Sequence, residues 1–159
     1  MKKVLIISYF YPPCNLTAAN RVGYWSQDFF NHGIYPIIIS RRWDNHIGSF
    51  DDISKPTIDK ELVFKDSNKT IYYIPKKPTL RDKVLNFNKN RFSLFRKLLT
   101  FIEIILNSLH IKLSLNYEFY KKAISIIELD KSIKTVIISA MPFNDFFIGY
   151  KLKKKFPNI

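Results

Sequence analysis

Glycine and cysteine are scarce in this chain, and each scarcity excludes a chemistry. Only four glycines and one cysteine occur in 159 residues. Gly23, Gly33, Gly48 and Gly149 stand too far apart to form a phosphate-cradling loop, and neither G-x-x-x-x-G-K-[ST] nor G-x-G-x-x-G occurs. Any nucleotide contact must be made by other means. The lone Cys14 excludes an internal disulfide and a thiolate-based zinc cluster. His32, His46 and His110 are scattered without metal-ligand spacing, so no metal and no cofactor is implied. Acidic residues are few as well: 13 Asp and Glu face 26 Lys and Arg, a net charge of +13. An excess of this size points to an anionic partner, whether a phosphate group, an acidic lipid surface or nucleic acid. Charge alone does not choose among them, and abundant Lys, Ile and Asn also fit a compositional bias.

What is present is a core. Hydrophobic residues make up 47% and aromatics 16%, and a chain of this length forms one domain that buries about 70% of its unfolded surface. The start, Met1-Lys2-Lys3 followed by Val4–Ile7, imitates a signal peptide. Its apolar run is too short, and Tyr9–Pro13 offers no small-residue cleavage site. It reads instead as a first strand, and the expected location is cytoplasmic. Phe92 to Leu115 is the most membrane-like stretch. Arg96, Thr100, Glu103, Asn107 and His110 recur through it every three or four residues, which makes it amphipathic rather than spanning.

Three Ile- and Val-rich runs, Lys3–Ser8, Tyr35–Ser40 and Thr135–Ala140, read as strands covered on both faces. Between the first two, Ala18, Val22, Trp25 and Phe29 fall at helical spacing, with Thr17 as the expected N-cap and Gly33 as the stop. Strand, helix and strand at this spacing predict a right-handed βαβ unit. Arg41–Lys69 reads as a polar excursion with a short strand at Glu61–Phe64, and Thr70–Ile74 as a further strand closed by Pro75. Two helices follow: the long amphipathic one and Tyr117–Leu129, with Tyr120, Ala123, Ile124 and Ile127 inward. Phe143, Phe146, Phe147 and Tyr150 mark one face of a last helix. The predicted class is α/β, a Rossmann-like open parallel sheet flanked by helices.

The run Val4–Pro13, then Ala18-Ala19-Asn20-Arg21, Trp25 and a helix ending near His32-Gly33 before an Ile-rich strand, resembles the opening of family 4 glycosyltransferases of the GT-B fold. Ser139-Ala140-Met141-Pro142 before an aromatic helix is similar to that family's loop after a later strand. The resemblance covers most of the chain and is specific over Val4–Ser40. It implies that residues 1–159 are the acceptor-side domain of an enzyme whose second domain binds a nucleotide-sugar donor. That second domain carries an E-x₇-E motif, and no pair among Glu61, Glu103, Glu118 and Glu128 has this spacing. The family's Gly-Gly pair after the first strand is replaced by Asn15-Leu16-Thr17-Ala18-Ala19, and no histidine lies beyond His110. The isolated domain is therefore expected to lack transfer activity. The implied partners are the donor, through the other domain, and a saccharide or lipid-linked acceptor.

In open α/β sheets, ligands sit beyond the carboxyl ends of the strands where the strand order reverses. The candidate substrate-binding residues are accordingly Asn15, Thr17, Ala18 and Arg21 after the first strand, and Ser139 and Met141 after a later one. A helix N-terminus there favours an anion. Arg21 in its first turn opposes the dipole by roughly 0.3–1 kcal/mol unless a phosphate or acidic group offsets it; the bland alternative is that it points into water. Asn15 and Thr17 fit turn and capping duties equally well. Cys14 is assigned no role, and Asp145 reads as a surface residue suited to the start of its helix. Arg41-Arg42-Trp43 would suit an NADP 2′-phosphate, which the missing glycines disfavour, or else a solvated loop or part of the acceptor mouth.

The long helix has two readings. By default its apolar face packs on the core. Its cations Lys89, Arg91, Arg96, Lys97 and Lys112, beside Phe92, Phe95, Phe101 and Ile104, also suit docking on the anionic inner face of a membrane. A second function, from another class, is a non-catalytic α/β module that binds an anionic membrane or polyanion. Aromatics at core spacing disfavour nucleic acid as the partner.

Overall fold

A computed structural model of the chain describes residues 1–43, 60–87, 93–109, 114–139 and 145–159. The predicted site residues Met141 and Arg91 fall outside these, as do Lys89, Lys112, His46 and His110.

The central strand is β1 (Lys2–Ser8), paired in parallel with β2 (Ile34–Arg41) on one side and β5 (Ile133–Ser139) on the other. Beyond β2 lies parallel β4 (Thr70–Ile74), and antiparallel β3 (Leu62–Lys65) forms the edge. The order is β3-β4-β2-β1-β5. The chain builds outward on one side of β1 and then returns to the other, so the order reverses between β1 and β5. The α/β expectation stands: this is a Rossmann-like sheet with one antiparallel edge strand.

The unbroken apolar runs follow from burial of both sheet faces. Side chains alternate along a strand. Leu5, Ile7, Ile37 and Ile39 pack with Phe119, Ala123 and Ile127 of α4 (Leu115–Leu129) and with Ile148 and Leu152 of α5 (Phe146–Lys155). Val4, Ile6, Ile38 and Ile71 face the other way, onto Val22, Trp25 and Phe29 of α1 (Thr17–Asn31). Each fully buried Ile or Leu contributes about 1.5–3 kcal/mol. Gly33 ends α1 at φ 70°, a left-handed conformation open to glycine without a Cβ clash.

Two helices differ from the sequence reading. An eight-residue helix, α2 (Leu80–Phe87), precedes α3 (Ser93–Ser108). Thr79 and Asp82 cap α2 reciprocally: the Asp82 N–H donates to Thr79 Oγ1 at 3.2 Å, and the Thr79 N–H donates to Asp82 Oδ2 at 3.1 Å. The expected core-facing role of α3 is not met. Leu94, Phe95, Leu98, Phe101, Ile102, Ile104 and Ile105 are all exposed, because the sheet face is already occupied by α4 and α5. Among the described residues, no helix is long and apolar enough to cross a membrane.

Candidate functional site

Three serines stand in register at or next to the carboxyl ends of three neighbouring strands. Ser8 is in register with Ser40 on β2 and with Ser139 on β5, and all three are buried. Two of the hydroxyls turn back to hold the loop that leaves β1. Ser8 Oγ donates to the Phe10 carbonyl at 2.7 Å, and Ser40 Oγ to the Tyr9 carbonyl at 3.3 Å. Ser139 Oγ makes no hydrogen bond among the described residues.

The loop Tyr9–Leu16 is packed inward at its start and open at its end. Tyr9, Phe10, Tyr11 and Cys14 are buried. Tyr11 Oη and Ser26 Oγ share a 2.8 Å hydrogen bond, and Tyr73 Oη donates to the Pro12 carbonyl at 2.9 Å. The Pro12–Pro13 peptide is cis. Pro12 lies against Gly23, where an added Cβ would come within 3.2 Å of its ring; this is one place where glycine allows a loop to seat on a helix. Burial raises the Cys14 thiol pKa above its ordinary value, which suits an inert packing residue.

The open end carries the predicted residues. Asn15, Thr17 and Arg21 are exposed and Ala18 is half-buried. Thr17 is not the N-cap. Leu16 holds that position, in extended conformation, with no side-chain cap and no acidic residue in the first turn. The Leu16 carbonyl accepts from the Ala19 N–H at 2.8 Å. Without a capping oxygen, the positive end of α1 faces solvent beside Arg21. Four of the six predicted substrate residues thus lie together on one edge. Ser139 joins them through its register with Ser8, and Met141 is outside the described residues.

Two residues contradict the sequence reading and belong to the same edge. Arg41 is not in a solvated loop. It is the last residue of β2, 1% exposed, with its guanidinium 3.9 Å from the Trp43 ring centroid and Nη1 donating to Tyr9 Oη at 2.8 Å. Tyr9, Phe10 and Trp43 pack around it, with Phe10 stacked on Trp43 at 5.5 Å. Burial pushes the Tyr9 hydroxyl up to about 12, against the pull of Arg41. Period-2 alternation was the available signal: Arg41 points in, while Arg42 points out to donate to the Lys60 carbonyl at 2.9 Å.

Asp145, expected at the surface, is fully buried at the start of α5. Neither carboxylate oxygen has a hydrogen-bond partner among the described residues. Burial pushes its pKa up to about 7, and the Tyr9 backbone N–H, which faces it without closing a hydrogen bond, offsets part of that rise.

Charge continues along the edge beyond Arg41. Lys76 Nζ meets Asp82 Oδ2 at 2.7 Å, both buried, and Arg81 lies 3.6 Å from Glu103. Burial lowers the Lys76 pKa against the opposing pull of Asp82; it raises the Glu103 pKa, with Asp82 adding to the rise. Among the described residues, no group of three or more His, Cys, Asp or Glu could hold a metal ion. At the opposite end of the sheet, a groove of about 490 Å³ is lined by Lys3, Tyr35, Asp66, Tyr72 and Asp130, among others. The chain matches no known protein family, no curated protein and no solved structure.

Proposed function

We propose that this chain is the acceptor-side domain of a nucleotide-sugar-dependent glycosyltransferase that builds cell-surface polysaccharide or glycolipid. One observation carries the reading: the strand order reverses between β1 and β5, at the edge that holds Asn15, Thr17, Ala18, Arg21 and Ser139. Ligands of open α/β sheets bind at such a reversal. The resemblance of Val4–Ser40 to family 4 glycosyltransferases supplies the substrate class. In this reading the domain binds the acceptor, and the donor is held chiefly by a partner domain carrying the E-x₇-E motif. The domain lies at the inner face of the membrane. The exposed apolar residues of α3, the exposed Lys97 and the net charge of +13 support that location.

Saturation-transfer NMR on the isolated chain tests the reading. Oligosaccharides are expected to receive magnetisation and free nucleotides are not, and no nucleotide-sugar should turn over. Preferential transfer to the nucleotide, or turnover by this chain alone, contradicts it.

The alternative, a non-catalytic module docking on anionic lipid, is favoured by the same α3 face. It predicts vesicle binding without any saccharide contact.

A further inference from the structure

We propose that the outer edge of β3 is a self-pairing surface: two copies of this chain join β3 to β3, antiparallel about a two-fold axis at Val63, into one continuous sheet. The pairing does not depend on the saccharide-handling reading above.

β3 stands at the end of the strand order, and among the described residues no strand pairs with its outer side. All of its residues are exposed, and Leu62, Val63 and Phe64 each leave about half of their surface in water. The hairpin fixes which backbone groups are unused. The Asp66 N–H donates to the Lys69 carbonyl at 3.0 Å, and bonded and non-bonded pairs alternate along an antiparallel ladder. Phe64 and Leu62 therefore bond to Ile71 and Tyr73 of β4, while Glu61, Val63 and Lys65 turn their N–H and C=O groups outward. Such a row is a template for another strand.

Symmetry and charge select that strand. A two-fold contact is self-complementary, and residues opposite one another in a sheet share a face. With Val63 opposite its own copy, Glu61 falls opposite Lys65, Lys60 opposite Asp66 and Leu62 opposite Phe64. Each outward backbone group from Glu61 to Lys65 then meets an outward group of the other copy, and each charge meets its opposite. An axis at Leu62 sets Glu61 on Val63, and an axis at Phe64 sets Leu62 on Asp66, so both neighbouring registers lose the charge match. Glu61 reaches Lys122 through Oε1 and Asp66 holds its turn through Oδ1, which leaves a second oxygen on each for a lysine of the other copy. Lys60–Asp66 carries as many acids as bases in a chain of net charge +13, so the contact itself adds no like-charge repulsion. The strand is only four residues long, so the dimer is weak and reversible.

Sedimentation equilibrium of the whole chain between roughly 5 and 500 µM tests the pairing. A reversible monomer–dimer equilibrium is expected. Val63→Pro removes the N–H on the axis, which β4 does not use, and should weaken the dimer at least about tenfold with an unchanged circular dichroism spectrum. Because a proline can also disturb its own strand, two charge variants give a second measurement. Glu61→Lys and Lys65→Glu each set like charges opposite one another and should be monomeric alone, and their equimolar mixture should recover the wild-type dimer. Leu98→Glu with Phe101→Glu should dimerise as the wild type does. A wild-type chain that stays monomeric across the range overturns the proposal. So does a dimer indifferent to Val63→Pro, a dimer lost in the α3 variant, or charge variants that associate no better mixed than alone.

Discussion

Ser8 and Ser139 are register partners across the β1–β5 pair, one on each side of the line where the strand order reverses. Ser8 spends its hydroxyl on the Phe10 carbonyl, and Ser40 spends its own on Tyr9. The loop leaving β1 is thereby tied to the strand ends by two side-chain hydrogen bonds. Ser139 and Asp145 keep their hydrogen-bonding capacity among the described residues. The edge is closely packed around Tyr9 and Trp43, and beside them the Asp145 carboxyl has no hydrogen-bond partner among the described residues.

Asp145 makes stability depend on pH. Folded, its carboxyl holds a proton up to about pH 7; unfolded, it releases that proton near 3.8. The folded state therefore binds more protons between these values, and stability falls as pH rises through that window and stays low above it. Asp145→Asn removes the titration. At pH 8 the variant should be more stable than wild type by on the order of a few kcal/mol, with most of the gap closed near pH 4. Chemical denaturation at the two pH values measures this, and a wild-type advantage at pH 8 contradicts it.

Arg41→Lys is not a conservative change. Lysine keeps a charge but loses the planar group stacked on Trp43 and the donor aimed at Tyr9 Oη. A loss of about 1–3 kcal/mol is expected in urea unfolding, with altered Trp fluorescence. Unchanged stability would show that the stacked guanidinium contributes nothing.

Asp82→Ala removes the Thr79 cap and a buried partner of Lys76 in one step. The cost should be about 2–4 kcal/mol, with amide exchange accelerated first in α2. Uniform acceleration across the sheet would place the effect elsewhere.

Leu98→Glu with Phe101→Glu alters the exposed face of α3, where the two residues are 54% and 61% exposed. Folding stability should move by no more than about 0.5 kcal/mol per site. Co-sedimentation with anionic vesicles should drop at least tenfold. Equal binding by the variant, or equal binding of wild type to neutral vesicles, contradicts membrane docking through this face.

The sheet was readable because both of its faces are covered: continuous Ile and Val runs in β1, β2 and β5 leave few alternatives. Parallel β4 was legible from its alternation and the closing Pro75, while the edge strand β3 was read as a short strand at Glu61–Phe64, one residue from its place at Leu62–Lys65. Burial depth was not legible. Asp145 begins a helix, where an acid suits the dipole, and nothing local reveals that this helix starts beneath the surface. For α3, periodicity identifies an apolar face without saying whether that face has a partner. The cap of α2 did leave a trace, Thr79-Leu80-Arg81-Asp82, which has the spacing of a reciprocal cap. Leu16 as a cap has no such trace, since its role is purely backbone.

Amide chemical-shift mapping with a short oligosaccharide tests the central claim most directly. The account predicts shifts clustered at Ser8–Arg21, Ser139 and Asp145–Phe147, all at one end of the sheet. Shifts clustered instead around Tyr35, Asp66 and Asp130, at the opposite end, would contradict it.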